Sequence, residues 1–477
     1  MSRQNVVVGI DVGTSSVKVV ATDLDGRLVA EASTRYPTMT DLAGGAEQDA
    51  EAWWAAVSAI TPTVVRDAKV AAVAVTSQAP TLVPVDAAGS TTGPALTWLD
   101  RRAIAEARRI GEIVPESRNG ADPFFGTAKL PWLLAERPSI AARTAHVLSA
   151  NGFIVQRLTG VATLDDTSAS LMQGFDETSD AFDEQLMSAD LGLHLLPPIV
   201  RAAAIVGTVT VDAAQATGLP AGTPVVAGGI DSVGSALEAG TLAVGDPLVE
   251  MTGFSSVTIL AAPAGVSVPG FIHARHAVEG VDLLITAQVT AGATVDWMNG
   301  LDSTADLRDS DAILARSRPS RLTMVPSLAG ERTPSWNMNA RGIIDGIDLA
   351  TDGTELMLAV MEGNALALAT DVQSLRAHGY TIDRMLGTGG GSTSPAWLQI
   401  KSDALGIPVQ RPASGHGAAQ GASYLAGLAV GVHASVESLR ALSAGIEAEY
   451  APDADRHAAY VAKLERYREL TALNTSR

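Results

Sequence analysis

The chain has 477 residues, 47% of them hydrophobic, with 45 glycines, no cysteine and a formal net charge of −19. That length exceeds a single core and points to two large domains, and the missing cysteines exclude disulfides and thiolate metal sites, as suits a reducing compartment. The acidic balance excludes non-specific nucleic-acid binding, which needs basic surface, but not a nucleotide held by local backbone amides.

No run of eighteen apolar residues occurs, so no membrane-spanning helix is expected. The opening MSRQNVVVGIDVG lacks a signal-peptide pattern, and the cytoplasm is the expected location.

In chain order, residues 6–10, 17–23 and 27–34 read as three strands, with Asp25-Gly26 as a hairpin turn between the second and third. Asp49 then precedes AEAWWAAVSAITPTVV, a helix with Asp49 as N-cap. KVAAVAVTS (69–77) is an apolar run short enough for a buried strand. Three antiparallel strands followed by alternating helix and strand resemble the ribonuclease-H-like half of the actin, heat-shock chaperone and sugar-kinase ATPases.

A second copy of that opening lies at 247–260, PLVEMTGFSSVTIL, again strand, small-residue turn and strand. The boundary between the two units falls near 238–246, EAGTLAVGD. Beyond Ser435, SVESLRALSAGIEAEY and HAAYVAKLERYREL read as helices packed on the second unit.

Three stretches carry chemistry. GIDVGTSSVK (9–18) is either a polar hairpin turn or a phosphate turn. Gly13 and the hydroxyls of Thr14, Ser15 and Ser16 would let backbone amides approach phosphate oxygens. Asp11 would hold Mg²⁺ through water, and Lys18 points either to phosphate or to solvent. GTGGGSTS (387–394) would lie flat against an anionic or planar ligand, followed by a helix over 395–405 with proline in its first turn; a plain helix-entry loop is the alternative. GGIDS (228–232) places Asp231 at a strand-to-helix junction, either as a general base for phosphoryl transfer or as a helix N-cap.

Together these pieces resemble the FGGY carbohydrate kinases. The resemblance runs in order through GIDVGTSSVK, GGAEQDAEAWW (44–54), AVTSQ (74–78), TWLDRR (97–102), KLPWLLAERP (129–138), NGFIVQRLTG (151–160), LPAGTPVVAGGIDS (219–232), GERTPSWNMNARG (330–342), MEGNALAL (361–368) and GTGGGSTSPAWLQIKSDALGIPV (387–409). It implies an α/β chain of two actin-like (ribonuclease-H-like) ATPase domains with a cleft between them, a sugar-binding domain over 1–242 and a nucleotide-binding domain over 243–477. It implies ATP and Mg²⁺ as cofactors, a small sugar or polyol as substrate, and a homodimer. The xylulokinase-like branch, acting on a ketopentose, is the expected one.

The resemblance carries Asp231 over as catalytic base and, with Asp11, as a Mg²⁺ contact. The nucleotide contacts it implies are Asp11, Gly13, Thr14, Ser15, Ser16, Thr252, Gly253, Gly390, Gly391 and Ser394. On the substrate side it implies Gln78, Ala79, Pro80, Asp100, Arg101, Asp231 and Ser232. Two departures bear on the sugar. Pentulose kinases usually read Gln-Met-His-Gly where this chain has Gln78-Ala79-Pro80-Thr81, and carry Gln or Asn where it has Ser232. The glycerol kinase pattern of Arg-Glu after that Gln is missing too, and the second phosphate turn reads MTGFSS rather than GTS. Glycerol, erythritol, gluconate and hexuloses are therefore alternative substrates, and an actin-type ATPase or a non-catalytic sugar sensor are rival readings of the fold.

Other conspicuous residues read as structural. His273 and His276 have no third ligand nearby; His416 suits packing or capping; Trp53-Trp54 suits a core; Asp165-Asp166 suits a helix start; Glu331-Arg332 suits an ion pair or hinge contact.

Overall fold

The computed structural model describes residues 4–301, 318–413, 415, 417–443 and 445–474. His416 lies outside the described residues. The first half supplies β1 (Gln4–Val12), β2 (Ser16–Asp23), β3 (Leu28–Arg35), α1 (Ala50–Val65), β4 (Ala68–Ser77), α2 (Ala150–Thr159), β5 (Ile205–Thr208), β6 (Pro224–Ile230) and α3 (Asp231–Ala239). The second supplies β7 (Leu248–Thr252), β8 (Ser256–Pro263), β9 (Ile272–Arg275), β10 (Val281–Gln288), α4 (Gly292–Leu301), α5 (Gly353–Ala377), β11 (Met385–Thr388), α6 (Pro395–Leu405), β12 (Val409–Pro412), α7 (Ala418–Ala429), β13 (Ile446–Tyr450) and α8 (Ala454–Asn474).

Two sheets organise the chain. The first has the order β5-β6-β4-β1-β2-β3, with β1 antiparallel to β2 and parallel to β4. The second has the order β9-β10-β8-β7-β11-β12-β13, with β7 antiparallel to β8 and parallel to β11. Both are therefore built from an antiparallel hairpin followed by a parallel strand on its other side. The strands expected at 6–10, 17–23, 27–34 and 69–77 are β1 to β4, and the repeat expected at 247–260 is β7 and β8. The apolar runs form the central strands, where both faces of the sheet are covered.

One face of the first sheet packs on α1 and α2, where Trp53 and Phe153 are fully buried. Asp49 caps α1, its side chain accepting from the Glu51 amide. The other face packs on α3 and on α7, although α7 comes from the far end of the chain. The second sheet is covered by α5, α6 and α8 around a core that includes Met357, Leu398 and Leu464. A smaller subdomain between β4 and β5 has its own core of Leu130, Trp132, Met172 and Leu186.

One expectation fails near the C-terminus. The helix read into SVESLRALSAGIEAEY stops after Val436–Arg440, and residues 446–450 form β13, antiparallel to β12. IEAEY alternates charged and apolar residues, the pattern of a half-covered edge strand. The short helix before it also packs on the cluster around α7, through Leu439, rather than on the second sheet alone.

Candidate active site

The two hairpin turns share one construction. In the first, the Gly13 amide bonds the Ser16 carbonyl at 2.9 Å, and Tyr36 donates its hydroxyl to the Gly13 carbonyl. The Thr14 carbonyl accepts from Gln48 Nε2 at 2.6 Å, and the Ser15 carbonyl from the Tyr36 amide at 3.2 Å. In the second, the Gly253 amide bonds the Ser255 carbonyl at 2.8 Å. The Gly253 and Phe254 carbonyls accept from amides at the start of α4, at 2.9–3.1 Å. Each turn thus ties its carbonyls back into the protein. Lys18 lies 3.8 Å from Glu31 on the neighbouring strand, so its charge is directed along the sheet.

Behind the second turn lies a buried ion pair. Lys401 Nζ on α6 meets Glu250 Oε1 and Oε2 on β7 at 2.9 and 2.8 Å and the Thr252 hydroxyl at 2.7 Å. Gly391 abuts this cluster: a Cβ there would stand 2.5 Å from the Thr252 Cβ. Glycine is needed for the 387–394 loop to lie this close. Ser394 caps α6, accepting from the Trp397 amide at 3.3 Å. Gly390, Gly391 and Ser394 line one cavity of about 470 Å³ with Gly253, Phe254, Asp296 and Trp397.

Asp231 is the first residue of α3, not its cap: the N-cap is Ile230, which offers no side-chain bond. Gly228, at φ +75°, bends β6 where its register against β4 shifts, a backbone state glycine adopts readily. The junction is then pinned from behind. The Ile230 amide donates to Thr167 Oγ1 at 3.0 Å, and Thr167 donates in turn to Asp165 at 2.5 Å. Asn151 Nδ2 bridges Asp165 and the Ala227 carbonyl at 2.8 and 3.2 Å. Asp165 also caps the short helix after it, as its sequence suggests.

So held, the Asp231 carboxylate faces a cavity of about 240 Å³ with Ser232, Thr14, Ala79, Trp98, Phe124, Gly253, Ser255 and Arg332. Gly253 also lines the 470 Å³ cavity, so the two adjoin at the second turn. Asp231 accepts from the Ser232 amide at 2.7 Å and hydroxyl at 3.3 Å. Burial nevertheless pushes its carboxyl up to about 6. Asp11 takes the Thr76 hydroxyl at 3.0 Å. Burial, and then the charge of Asp231, raise it to about 7.

The remaining expected substrate residues stand around this cavity rather than in its wall, except Ala79. Gln78 donates to Gln48 Oε1 at 2.6 Å, and Gln48 in turn holds the Thr14 carbonyl. Pro80 is buried behind Ala79. Asp100 is buried and accepts from the Ala46 amide at 3.0 Å and from Arg102. Arg101 makes a bidentate pair, but with Asp122, at 2.5 and 2.7 Å.

Among the lining residues that sequence reasoning missed are Trp98 and Arg332. Trp98 donates Nε1 to the Thr14 hydroxyl at 2.9 Å, linking the cavity floor to the first turn. Arg332 lies over Trp98 and Phe124, 4.4 and 5.1 Å from their ring centres. Of the two readings given to Glu331-Arg332, ion pair or hinge contact, the ion pair does not form: Glu331 accepts from Ser327 and Ser335 while Arg332 lines the cavity. The signals were present as TWLDRR and GERTP, but a stacked pair 234 positions apart has no local pattern. His273 accepts the Val268 amide and His276 contacts the Thr241 carbonyl; both are buried and structural. Among the described residues no group of three or more His, Asp or Glu is arranged to hold a metal, and no helix is long and apolar enough to cross a membrane.

Two hairpin-built halves with paired glycine turns, and adjoining cavities that meet at the second turn, make up the actin-like fold of the sugar kinases. Residues 6–237 match the N-terminal domain model of the FGGY family of carbohydrate kinases, and residues 251–430 match its C-terminal domain model. The chain belongs to the FGGY family of carbohydrate kinases. It is 29% identical over 479 residues to the xylulose kinase of Escherichia coli K12, covering 97% of this chain and 98% of that one. It is 31% identical over 454 residues to the xylulose kinase of Streptomyces coelicolor, covering 91% and 90%. The crystal structure of ligand-bound xylulose kinase from Lactobacillus acidophilus superposes with a TM-score of 0.91 over 98% of both chains at 23% identity.

Proposed function

We propose that this carbohydrate kinase transfers the γ-phosphoryl group of ATP to a hydroxyl of a ketopentose, with xylulose the foremost acceptor. The observation that carries the reading is the placement of Asp231. It is the one carboxylate in the wall of the 240 Å³ cavity, and that cavity adjoins the glycine-lined one at Gly253. The names of the relatives support a pentulose over other acceptors.

In this reading ATP lies against Gly390, Gly391 and Ser394, its phosphates reaching Gly13–Ser16 on one side and Thr252-Gly253 on the other. The acceptor lies over Asp231 and Ser232, against Ala79 and Trp98, with Gln78, Pro80, Asp100 and Arg101 bracing the wall. The acceptor oxygen forms its bond to the γ-phosphorus as the bond to the β,γ-bridging oxygen breaks and ADP leaves. Asp231 accepts the hydroxyl proton. Holding both reactants in line supplies much of the acceleration, and expelling water prevents hydrolysis.

Mg²⁺ fits this site. Asp11 and Asp231 lie close enough for one charge to raise the other carboxyl, and two carboxylates with phosphate oxygens and waters are the usual Mg²⁺ donors. The ion would offset charge on the phosphates. We further assign the boundary between sugar-binding and nucleotide-binding units to 242/243, with α7 crossing back to the first sheet, and place the enzyme in the cytoplasm as a homodimer.

A coupled ADP-release screen over pentuloses, hexuloses, glycerol, tetritols and gluconate tests the acceptor. Asp231→Ala should lower kcat by about 10²–10⁴ with ATP binding retained, the range for loss of a general base. Near-normal turnover in that variant refutes the assignment.

A further inference from the structure

The wall of the acceptor cavity holds an arginine that, among the described residues, forms no ion pair, although the charges of Asp122 and Asp231 act on it. Arg332 is 9% exposed and its guanidinium has no hydrogen-bond or ion-pair partner among the described residues; it lies over two aromatic faces. The half-buried arginines of this region, Arg101, Arg102 and Arg118, are all closed by acids. Arg101 forks onto Asp122, Arg102 onto Asp100, and Arg118 onto Glu177 and Asp282. A guanidinium carries five donors in a fixed fork and cannot discharge, so burying it without acceptors is costly. Burial, then the nearby Arg101, hold its pKa down at about 10.

The arrangement is not accidental slack. Trp98 and Phe124 stack on the guanidinium and position its plane without neutralising it. Trp98 is itself fixed by its bond to Thr14, and the Trp336 amide bonds the Arg332 carbonyl. Asp122, the nearest acid on that side, is already engaged by Arg101, and Asp231 is held by Ser232. A rigid, desolvated fork directed into a ligand cavity matches a planar or tetrahedral oxyanion.

We propose that Arg332 is the oxyanion receptor of the acceptor cavity, its fork taking two oxygens that the ligand supplies. The inference rests on the reading of this cavity as the acceptor site. Two ligands offer that chemistry: a carboxylate on the acceptor, as in a sugar acid, and the γ-phosphoryl oxygens of ATP during transfer.

Arg332→Gln and Arg332→Lys test it, with wild type and Asp231→Ala alongside. Calorimetry measures D-gluconate and ATP binding, and steady-state kinetics run on whichever neutral sugar turns over. If the carboxylate is the source, wild type binds gluconate without nucleotide, Arg332→Gln weakens that binding at least a hundredfold, and ATP affinity is unchanged. If the phosphoryl group is the source, gluconate binding is absent or insensitive. Arg332→Gln then lowers kcat for the neutral sugar by a hundredfold or more at constant KM, and Arg332→Lys or added guanidinium recovers part of it. A folded Arg332→Gln protein with unchanged kcat, KM and gluconate binding overturns the proposal. Should Arg332→Gln not fold, Arg332→Lys decides: it keeps the charge but loses the fork, and wild-type behaviour in both assays overturns the proposal. The underlying reading fails separately, when no acceptor turns over or when Asp231→Ala keeps full turnover; in that case loss of gluconate binding in the Arg332 variants still supports the receptor and its absence sinks it.

Discussion

Lys401→Met should unsettle the nucleotide half from behind. Lys401 and Glu250 are each 2% exposed, and the ammonium meets both carboxylate oxygens and the Thr252 hydroxyl. Methionine fills the stem but removes the charge, leaving Glu250 with only the Thr252 and Ser256 hydroxyls. Stranding one member of a buried pair costs about 3–5 kcal/mol. For a cooperative unit of a couple of hundred residues, where 1 kcal/mol moves Tm by about 2–4 °C, the expected fall is about 6–20 °C. ATP affinity should fall with it, because Thr252 is the surface on which Gly391 rests. The partner substitution Glu250→Leu in the same chain should recover most of the loss, since replacing a whole buried pair by apolar groups is often neutral. Calorimetric melts of the two single variants and the double variant, with ATP titrations, close the cycle. A single variant melting within about 2 °C of the parent, against that expectation, would refute the reasoning.

Two further outcomes follow from the buried acids. Asp231, raised to about 6, and Asp11, raised to about 7, must both be charged for the proposed chemistry, so kcat/KM should fall on an acidic limb with a coupled midpoint between those values, read from a pH–rate profile. Asp371 is fully buried, held by Thr286 and raised to about 7 by burial foremost. A carboxyl raised in the fold binds more protons folded than unfolded, so its ionisation lowers stability as pH climbs from about 4 towards 7. Asp371→Asn should therefore raise stability at pH 8 by something on the order of 2–4 kcal/mol and leave it unchanged near pH 4, as measured by urea unfolding at both pH values. Equal effects at the two pH values would contradict the assignment.

What could be read along the chain was whatever local chemistry decides. The apolar run before GTSS could form only a buried strand, Asp49 could only cap the helix after it, and the break at Gly228-Gly229 announced that Asp231 begins a helix at an open strand end. Those features depend on backbone sterics and hydrogen bonds within a few residues, and they were enough for the repeat and the hairpin turns; the family came from the resemblance of ten ordered blocks. The edge strand at 446–450 escaped because IEAEY satisfies helix and strand patterns alike until a neighbouring strand offers its hydrogen bonds.

Tertiary structure alone decided which of the marked residues line the cavity. Asp100, Arg101 and Gln78 had the composition of substrate contacts, yet the Asp100 carboxylate accepts from Ala46 and Arg102, the Arg101 guanidinium forks onto Asp122, and Gln78 Nε2 is given to Gln48. Trp98 was read only as part of a family block and Arg332 as an ion-pair or hinge residue, yet the two stack in the cavity wall. Whether a charged side chain is a brace or a receptor depends on whether an opposite charge lies within about 3 Å, and that is set by the packing of distant segments, which no local pattern records.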